Sequence, residues 1–405
     1  MSGATRRVSG LVLPGNSGSA APVLMLVPAP RQRDARLDAL RGLLLVLMTI
    51  THVPSALSHL CNGPFGVVSS AEGFVLLAAC LCGSVYGRSL ERDGHARMRS
   101  KVWARAGRVY AAHLLVLLPV AALALHYGPV SPGLANHFGP LIADPMAGFL
   151  LMPLLLHAPP LFDVLPLYVL SLLCTPWWLS VGQTHGWSRL LALAALLWGL
   201  AQCAQALRVA GVLPWWYAQP TALHPGHFDW LAWGGLWIVG LTLGVAARYG
   251  RIQPGLARKR WRPLLPLALG VAVCGFLLRH GLWPPTWFHP DLYLTMDKWT
   301  LGPLRLLNLA ALVYLLWRWN PRPPAWLLAP WARLGRHSLV VFSLHLPLVA
   351  LAPLWFEGMP ALERDPAASL YALGCVLLLW LLAGRLDRED RCKSGPVGAL
   401  MPASG

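Results

Sequence analysis

An arginine and a histidine lie on one apolar stretch near the start of the chain. Arg41 and His52 are eleven positions apart, so at about 100° per residue they fall on nearly the same face of a helix. A rise of about 1.5 Å per residue separates them by roughly 16 Å along the axis. Asp38 precedes Arg41 by three residues, which permits an ion pair between adjacent turns. Ionisable groups on a membrane helix are costly, so this pattern indicates a functional site.

Simpler interpretations of the same residues stay open. Arg41 could extend its guanidinium to the cytoplasmic boundary of the membrane, with Asp38 as its partner. His52 could be a neutral, hydrogen-bonded histidine near a helix end. It is less expected that both simple interpretations hold at once, on one face of a helix, than that either holds alone.

The composition is typical of a polytopic membrane protein. The chain has 405 residues, of which 56% are hydrophobic and 12% are charged, against about 25% charged residues in soluble domains. Its twenty tryptophans fit membrane interfaces. The formal net charge of +17 could indicate nucleic-acid binding, but the basic residues form short clusters between apolar runs. That pattern is typical of cytoplasmic loops, and no nucleic-acid partner is expected.

Ten apolar segments are long enough to span a bilayer, which predicts an all-α helical bundle with ten transmembrane helices. Basic clusters flank alternate connections, so the positive-inside rule places both termini in the cytoplasm. The predicted spans are approximately 37–57, 67–88, 102–126, 163–182, 188–207, 229–248, 263–280, 300–319, 337–356 and 368–386.

The remaining segments are tails and loops. Residues 1–33 and 389–405 are predicted to be disordered cytoplasmic tails around a membrane domain at 34–388. The apolar stretch 143–157 is short and contains prolines, which favours a re-entrant or interfacial helix. The loop 208–229 holds Trp215, Trp216 and Tyr217. It could bind a sugar or belong to an interfacial aromatic belt.

Further polar residues fall inside the predicted spans. Glu72 lies at the same predicted depth as His52, where a carboxylate could orient the imidazole and raise its basicity; it could instead cap the start of its helix. Together these residues predict a polar cavity that joins an arginine-lined cytoplasmic mouth to a His/Glu site. The cysteines show no zinc-ligand spacing, so no metal site is expected. The other members of the set are Tyr110, His113, Asp163, Tyr168, Lys298, Arg305 and His345.

The order and spacing of these motifs resemble the OpgC proteins, a branch of the acyltransferase-3 superfamily of membrane acyltransferases. The resemblance covers most of residues 34–388. The chain departs from the family pattern at Asp229, where asparagine is expected, and at Gly234, where glutamine is frequent. The segments that carry the resemblance are 36–43 with 52–54, 71–75, 162–168, 228–233, 298–305 and 334–345.

The resemblance implies an O-acyltransferase of the bacterial inner membrane that acylates a periplasmic glucan or related glycan, with succinyl as the expected acyl group. Acyl-CoA would be a co-substrate, with succinyl-CoA as the form that the resemblance favours. No bound cofactor is implied. Arg41 would engage the donor and His52 would act in catalysis, with histidine in the pKa range of a general base. Glu72 would orient His52. The remaining residues of the polar set, with Asp38, would bind substrates.

Two other classes of function stay open. A transporter or flippase could use the same polar cavity without chemistry, although the sequence contains no inverted repeat and no matching pair of broken helices. A non-catalytic partner in glycan export is the third hypothesis. Acyl transfer by the purified protein would separate the enzyme from both alternatives.

Overall fold

The computed structural model describes residues 34–213, 223–249, 261–282 and 290–393. Over these ranges the regular structure is helical, without a β-strand, which confirms the all-α prediction. The predicted tail at 1–33 lies outside the described residues, as do Trp215, Trp216 and Tyr217 of the predicted aromatic loop.

The first three helices lie at the first three predicted spans. Helix α1 is Ala35–Thr51, α2 is Ala56–Cys61 and α3 is Ser70–Tyr127. Helix α3 has 58 residues and covers both spans predicted at 67–88 and 102–126. It is broken at Gly94, whose φ of 79° lies in the left-handed region that glycine adopts readily. The two arms therefore meet at Gly94, within the basic connection.

A buried irregular segment follows α3. Helices α4 (Pro132–Ala143) and α5 (Pro145–Leu151) are short, and the chain then continues without a helix to Asp163. The Tyr110 hydroxyl donates a hydrogen bond of 2.8 Å to the Pro153 carbonyl. Met152 and Phe162 are fully buried. Irregular backbone at membrane depth must be enclosed by protein, and the re-entrant or interfacial character predicted for 143–157 stays a prediction.

The rest of the bundle follows the predicted spans closely. The helices observed at the fourth and fifth predicted spans are separated by Gly186 alone. The last helix reaches Lys393, so the first residues of the segment predicted as a tail, 389–393, continue this helix. The elements are α6 (Val164–His185), α7 (Trp187–Val209), α8 (Trp230–Arg248), a 3₁₀ helix (Arg262–Leu264), α9 (Leu265–Arg279), α10 (Pro290–Thr295), α11 (Pro303–Trp319), α12 (Ala325–Arg336), α13 (Ser338–Ala350), α14 (Pro353–Phe356) and α15 (Ala361–Lys393).

Several of these helices could cross a membrane. Seven helices among the described residues are long and apolar enough to do so, and α3, which holds two predicted spans, is counted once. Helices α1 and α11, at the spans predicted for 37–57 and 300–319, have 17 residues each. The chain therefore has several membrane-spanning helices, and the count of ten and the cytoplasmic termini stay predictions.

Helix α12 was not predicted. Its twelve residues are too few for a span, and Arg333 and Arg336 are typical of a cytoplasmic loop. The helix packs closely against α1. A Cβ at Gly42 would collide with the backbone of Trp331, and one at Gly335 would collide with the backbone of Asp38. Small residues allow this close approach of two helices, which holds the N-terminal half of α1 in place.

Two tryptophans of α8 lie in the core and not at an interface. Trp233 and Trp237 are almost fully buried. Their indole N–H groups donate hydrogen bonds of 3.0 Å to the Trp299 carbonyl and to the Thr175 hydroxyl. Because both donors are satisfied, these large side chains can be buried without an unpaired polar group. Helix α8 thus connects the α6 region to the loop before α11.

Candidate functional site

Asp38 and Arg41 form the ion pair expected from their spacing. The Asp38 residue is 3% exposed, and α12 lies directly against its backbone. The Arg41 side chain is 14% exposed and lines a half-open cavity. A guanidinium that reached for the membrane boundary would be far more exposed, so the structure disfavours that simpler interpretation of Arg41.

The cavity beside Arg41 has a volume of about 210 Å³. Its polar lining includes Arg41, Arg105 and Tyr168, and much of the remainder is apolar. The Arg105 guanidinium interacts with the Tyr168 hydroxyl. Two guanidinium groups in one apolar cleft create a site suited to an anionic group.

Phe342 connects this cavity to a pair of histidines. Its ring lines the cavity and lies 5.5 Å, between centroids, from the ring of Phe74. The centroid of His345 is 4.8 Å from that of Phe342. A hydrogen bond of 2.5 Å also joins His345 Nδ1 to the Phe342 carbonyl oxygen. The cavity wall and the His345 ring are therefore parts of one packed unit.

His52 and His345 are stacked on each other. Their ring centroids are 5.9 Å apart and their planes are inclined by 16°. His345 is 1% exposed. Its Nδ1–H donates to a carbonyl, so the neutral ring carries its lone pair on Nε2. Among the described residues, His345 Nε2 and His52 Nδ1 are both buried without a hydrogen-bond partner, so the pair can accept hydrogen bonds from a bound molecule.

Glu72 makes its hydrogen bonds elsewhere. This fully buried carboxylate accepts hydrogen bonds from the backbone N–H and the hydroxyl of Ser69, at 2.9 and 2.5 Å. Its other oxygen lies 2.5 Å from the Arg305 guanidinium. Both oxygens of Glu72 therefore serve the start of α3 and an ion pair with α11. Because His52 Nδ1 has no hydrogen-bond partner among the described residues, the orientation of His52 by Glu72 stays a prediction. The capping interpretation is present, as a capping box between Ser69 and Glu72.

Lys298 lies on an aromatic surface near His52. Its ammonium is 4.9 Å from the ring centroid of Trp299 and 5.5 Å from that of Phe228, distances typical of cation–π contacts. Lys298 and His137 both lie within electrostatic range of His52. Burial lowers the pKa of His137, a residue of the short helix α4, so its ring is neutral near pH 7. Lys298 is thus the charged member of this group.

A second polar cluster surrounds the start of α6. Asp163 accepts a hydrogen bond of 3.0 Å from the backbone N–H of His227, and His227 Nδ1 lies 3.5 Å from the same carboxylate oxygen. His113 is fully buried within electrostatic range of Asp163. Tyr110 is separate, since its hydroxyl serves the irregular segment. The predicted polar set is therefore divided between the cavity, the histidine pair, the Glu72–Arg305 pair and this cluster, while Lys298 lies on its aromatic support and Tyr110 at the irregular segment.

The chemistry available is that of imidazoles and cations. Within the described ranges, no group of three or more His, Cys, Asp or Glu side chains could hold a metal ion. Two stacked imidazoles with unpartnered nitrogens can receive and return a proton. The adjacent guanidinium and ammonium groups can bind anionic parts of a substrate.

A family model described as OpgC protein matches residues 33–391. The chain belongs to the OpgC family. No curated protein and no solved structure shows significant similarity to it. The OpgC match covers nearly the whole chain and includes every candidate site residue, and membership implies a transferase that works in a membrane.

Two residues of the candidate site do not follow from the sequence patterns. Arg105 was counted among the basic residues around a connection, although it lies inside the span predicted at 102–126 and faces the cavity. A charge one turn inside an apolar span was the available signal. Phe342 precedes His345 by three residues, but nothing in an apolar run distinguishes a cavity wall from ordinary core.

Proposed function

We propose that this protein is an O-acyltransferase of the bacterial inner membrane that moves an acyl group from acyl-CoA, on the cytoplasmic side, to a hydroxyl of a periplasmic glucan. Succinyl is the acyl group that the OpgC resemblance favours. One observation carries the proposal: the stacked His52–His345 pair adjoins a cavity lined by two arginines. An anion-binding cleft beside unpartnered imidazoles is the arrangement that transfer from an anionic thioester requires.

The donor would enter through the cavity. Coenzyme A carries phosphate groups, which guanidinium groups bind in bidentate fashion. Arg41 is held in place by Asp38, whereas Arg105 contacts the Tyr168 hydroxyl. The apolar remainder of the cavity suits the pantetheine arm, and Phe342 separates it from His345. This order would direct the thioester towards the histidines.

The reaction would need a base for the sugar hydroxyl. His52 would take the hydroxyl proton while the hydroxyl oxygen attacks the thioester carbonyl carbon. The carbon–sulfur bond then breaks, an ester forms, and the thiolate takes up the proton to leave as the thiol. His345 Nε2 would accept a hydrogen bond from the incoming hydroxyl, because its tautomer leaves that nitrogen with a lone pair. A positioned general base contributes about 10²–10⁴-fold in rate.

The acceptor would bind near the loop that precedes α8. Here the rings of His227, Phe228 and Trp299 lie together, with centroids 4.9 Å apart for His227 and Trp299 and 5.4 Å apart for Phe228 and Trp299. Aromatic faces beside polar groups suit a sugar, whose ring has apolar C–H faces and a polar edge. Asp163 and His227 add hydrogen-bonding groups to this surface.

The test is acyl transfer by purified protein in lipid nanodiscs, from labelled succinyl-CoA to glucan oligosaccharides, measured by mass spectrometry. We expect wild type to acylate the glucan and His52→Gln to be slower by about 10²–10⁴-fold. His59→Gln is the matched control, because His59 is exposed on the neighbouring helix α2. Near-wild-type activity of His52→Gln would remove the base from the proposal. No transfer by wild type would favour a transporter or a non-catalytic partner.

A further inference from the structure

The cations around the loops that precede α8 and α11 differ in whether a carboxylate neutralises them. Arg305 lies 2.5 Å from Glu72, and Arg208 lies 4.0 Å from Asp229. The segment that carries Lys298 lies next to Asp229, because the carbonyl of the following residue, Trp299, accepts a hydrogen bond of 3.0 Å from the Asp229 backbone N–H. Among the described residues, Lys298 forms no ion pair with a carboxylate.

The carboxylate next to Lys298 in sequence is already engaged. Asp297 Oδ2 accepts hydrogen bonds of 2.7 Å from both the backbone N–H and the hydroxyl of Thr300. The Thr300 hydroxyl is also 2.7 Å from Gln205 Oε1. This turn fixes Asp297 away from the ammonium. Lys298 therefore keeps its positive charge on an aromatic support without the counter-charge that its neighbour could have provided.

The aromatic support under Lys298 is rigid. Phe228 is 3% exposed and packs edge-on against Trp233, with centroids 4.6 Å apart. The Trp299 carbonyl accepts a hydrogen bond from the Trp233 indole. A cation–π contact alone stabilises an ammonium only modestly, whereas a partly desolvated ammonium gains most from an anion. The arrangement holds the Lys298 ammonium on the rings of Phe228 and Trp299, within electrostatic range of His52.

We propose that Lys298 selects the acyl group by binding the distal carboxylate of a dicarboxylic acyl chain whose thioester lies at the histidine pair. This inference rests on the proposed function and deepens it. Lys298 takes part in no bond change, and so acts as a specificity residue. Arg305 does not take this role, because its guanidinium is bound by Glu72 and donates a further hydrogen bond of 2.8 Å to the Met296 carbonyl.

The test compares succinyl-CoA with butyryl-CoA, which has the same four-carbon acyl chain but a methyl group in place of the carboxylate. Loss of one charge-assisted hydrogen bond corresponds to about 10–100-fold in kcat/KM. We expect wild type to prefer succinyl-CoA by this factor. Lys298→Met should bring the ratio close to one, mainly by lowering kcat/KM for succinyl-CoA, and Lys298→Arg should keep part of the preference.

Lys101→Met is the matched control, since Lys101 pairs with Asp93 near the Gly94 break. It should keep the wild-type ratio. An unchanged ratio of kcat/KM between succinyl-CoA and butyryl-CoA in Lys298→Met would overturn the inference. An equal loss of kcat/KM with both donors would overturn it too, and would indicate that Lys298 binds an anionic acceptor. If Lys298→Met does not accumulate in the membrane, Lys298→Gln replaces it. Equal kcat/KM values of the wild type for succinyl-CoA and butyryl-CoA would overturn the inference without any variant. If wild type transfers neither acyl group, the proposed function fails instead.

Discussion

The imidazole rings of His52 and His345 are stacked with their centroids 5.9 Å apart, and each ring has a buried nitrogen without a hydrogen-bond partner among the described residues. Leaving a buried polar atom unsatisfied costs about 1–3 kcal/mol. Phenylalanine would fill either position without that cost. The two unsatisfied nitrogens support the proposal that the pair binds a ligand through them.

His345→Phe should separate stability from activity. The ring keeps its stacking on His52 and the unsatisfied Nε2 is removed, but the Nδ1–H hydrogen bond to the Phe342 carbonyl is lost, so we expect little change in melting temperature. We expect kcat to fall by about 10-fold or more with little change in KM for acyl-CoA, since one hydrogen bond to the reacting hydroxyl is lost. Thermal unfolding in detergent and steady-state kinetics measure the two effects.

The exposed His126 at the end of α3 provides the comparison for that variant. His126→Phe should alter neither kcat nor the melting temperature. Wild-type kcat in His345→Phe would reduce His345 to a packing residue and leave His52 as the sole imidazole of the proposed mechanism.

Glu72→Gln should act on stability more than on chemistry. Removing one partner of a buried ion pair typically costs about 3–5 kcal/mol, because the other charge stays buried without compensation. We therefore expect a lower melting temperature and less protein in the membrane. The double variant Glu72→Gln/Arg305→Gln should recover part of the loss. If Glu72→Gln instead abolished transfer at an unchanged melting temperature, direct action on His52 would have to be reconsidered.

Arg41→Ala and Arg105→Ala should each raise KM for acyl-CoA, by about 10–100-fold, because each removes a guanidinium that would bind the donor. Arg41→Lys should rescue only part of the effect, since a point charge replaces a planar fork. Arg97, exposed after the Gly94 break, is the matched position, and Arg97→Ala should keep the wild-type KM. Unchanged KM values in both cavity variants would contradict donor entry through this cavity.

Reporter fusions test the predicted orientation. A fusion at Arg97 should report the cytoplasm, because the positive-inside rule places the basic connection in α3 on that side. The same rule predicts a cytoplasmic signal at Lys259 and a periplasmic one at Trp216, both of which lie outside the described residues. A periplasmic signal at Lys259 would overturn the alternation of the ten predicted spans.

Local features could be predicted from the sequence, and distant partners could not. The Asp38–Arg41 pair follows from helical spacing, and the helices follow from apolar runs of membrane length. The Ser69-x-x-Glu72 capping box is also local. The second partner of Glu72, Arg305, depends on how α3 and α11 pack, which no spacing rule specifies. The interpretation that Glu72 lies beside His52 rested on their equal predicted depth and on the short loop between their helices, neither of which specifies a contact with α11.

Helix α12 shows a different limit. Its apolar side could be recognised only once α1 was known to cover it, because a twelve-residue segment with two arginines matches no span. Gly42 and Gly335 allow the close approach of α12 to α1. Because they are far apart in the chain, their role can be recognised only when the two helices are seen in contact. The position of Arg41 depends on this packing.

The Glu72–Arg305 pair also has a consequence for biogenesis. The two residues are 233 positions apart, and a ribosome adds about 5–20 residues per second. The arm of α3 that carries Glu72 is therefore made on the order of 10–50 s before its arginine exists. During that interval the nascent chain holds a carboxyl group that lacks its final partner, so it must remain protonated, solvated or shielded by the insertion machinery. Chains that terminate before α11 never receive the arginine, so their Glu72 keeps the cost of burial without the compensating charge.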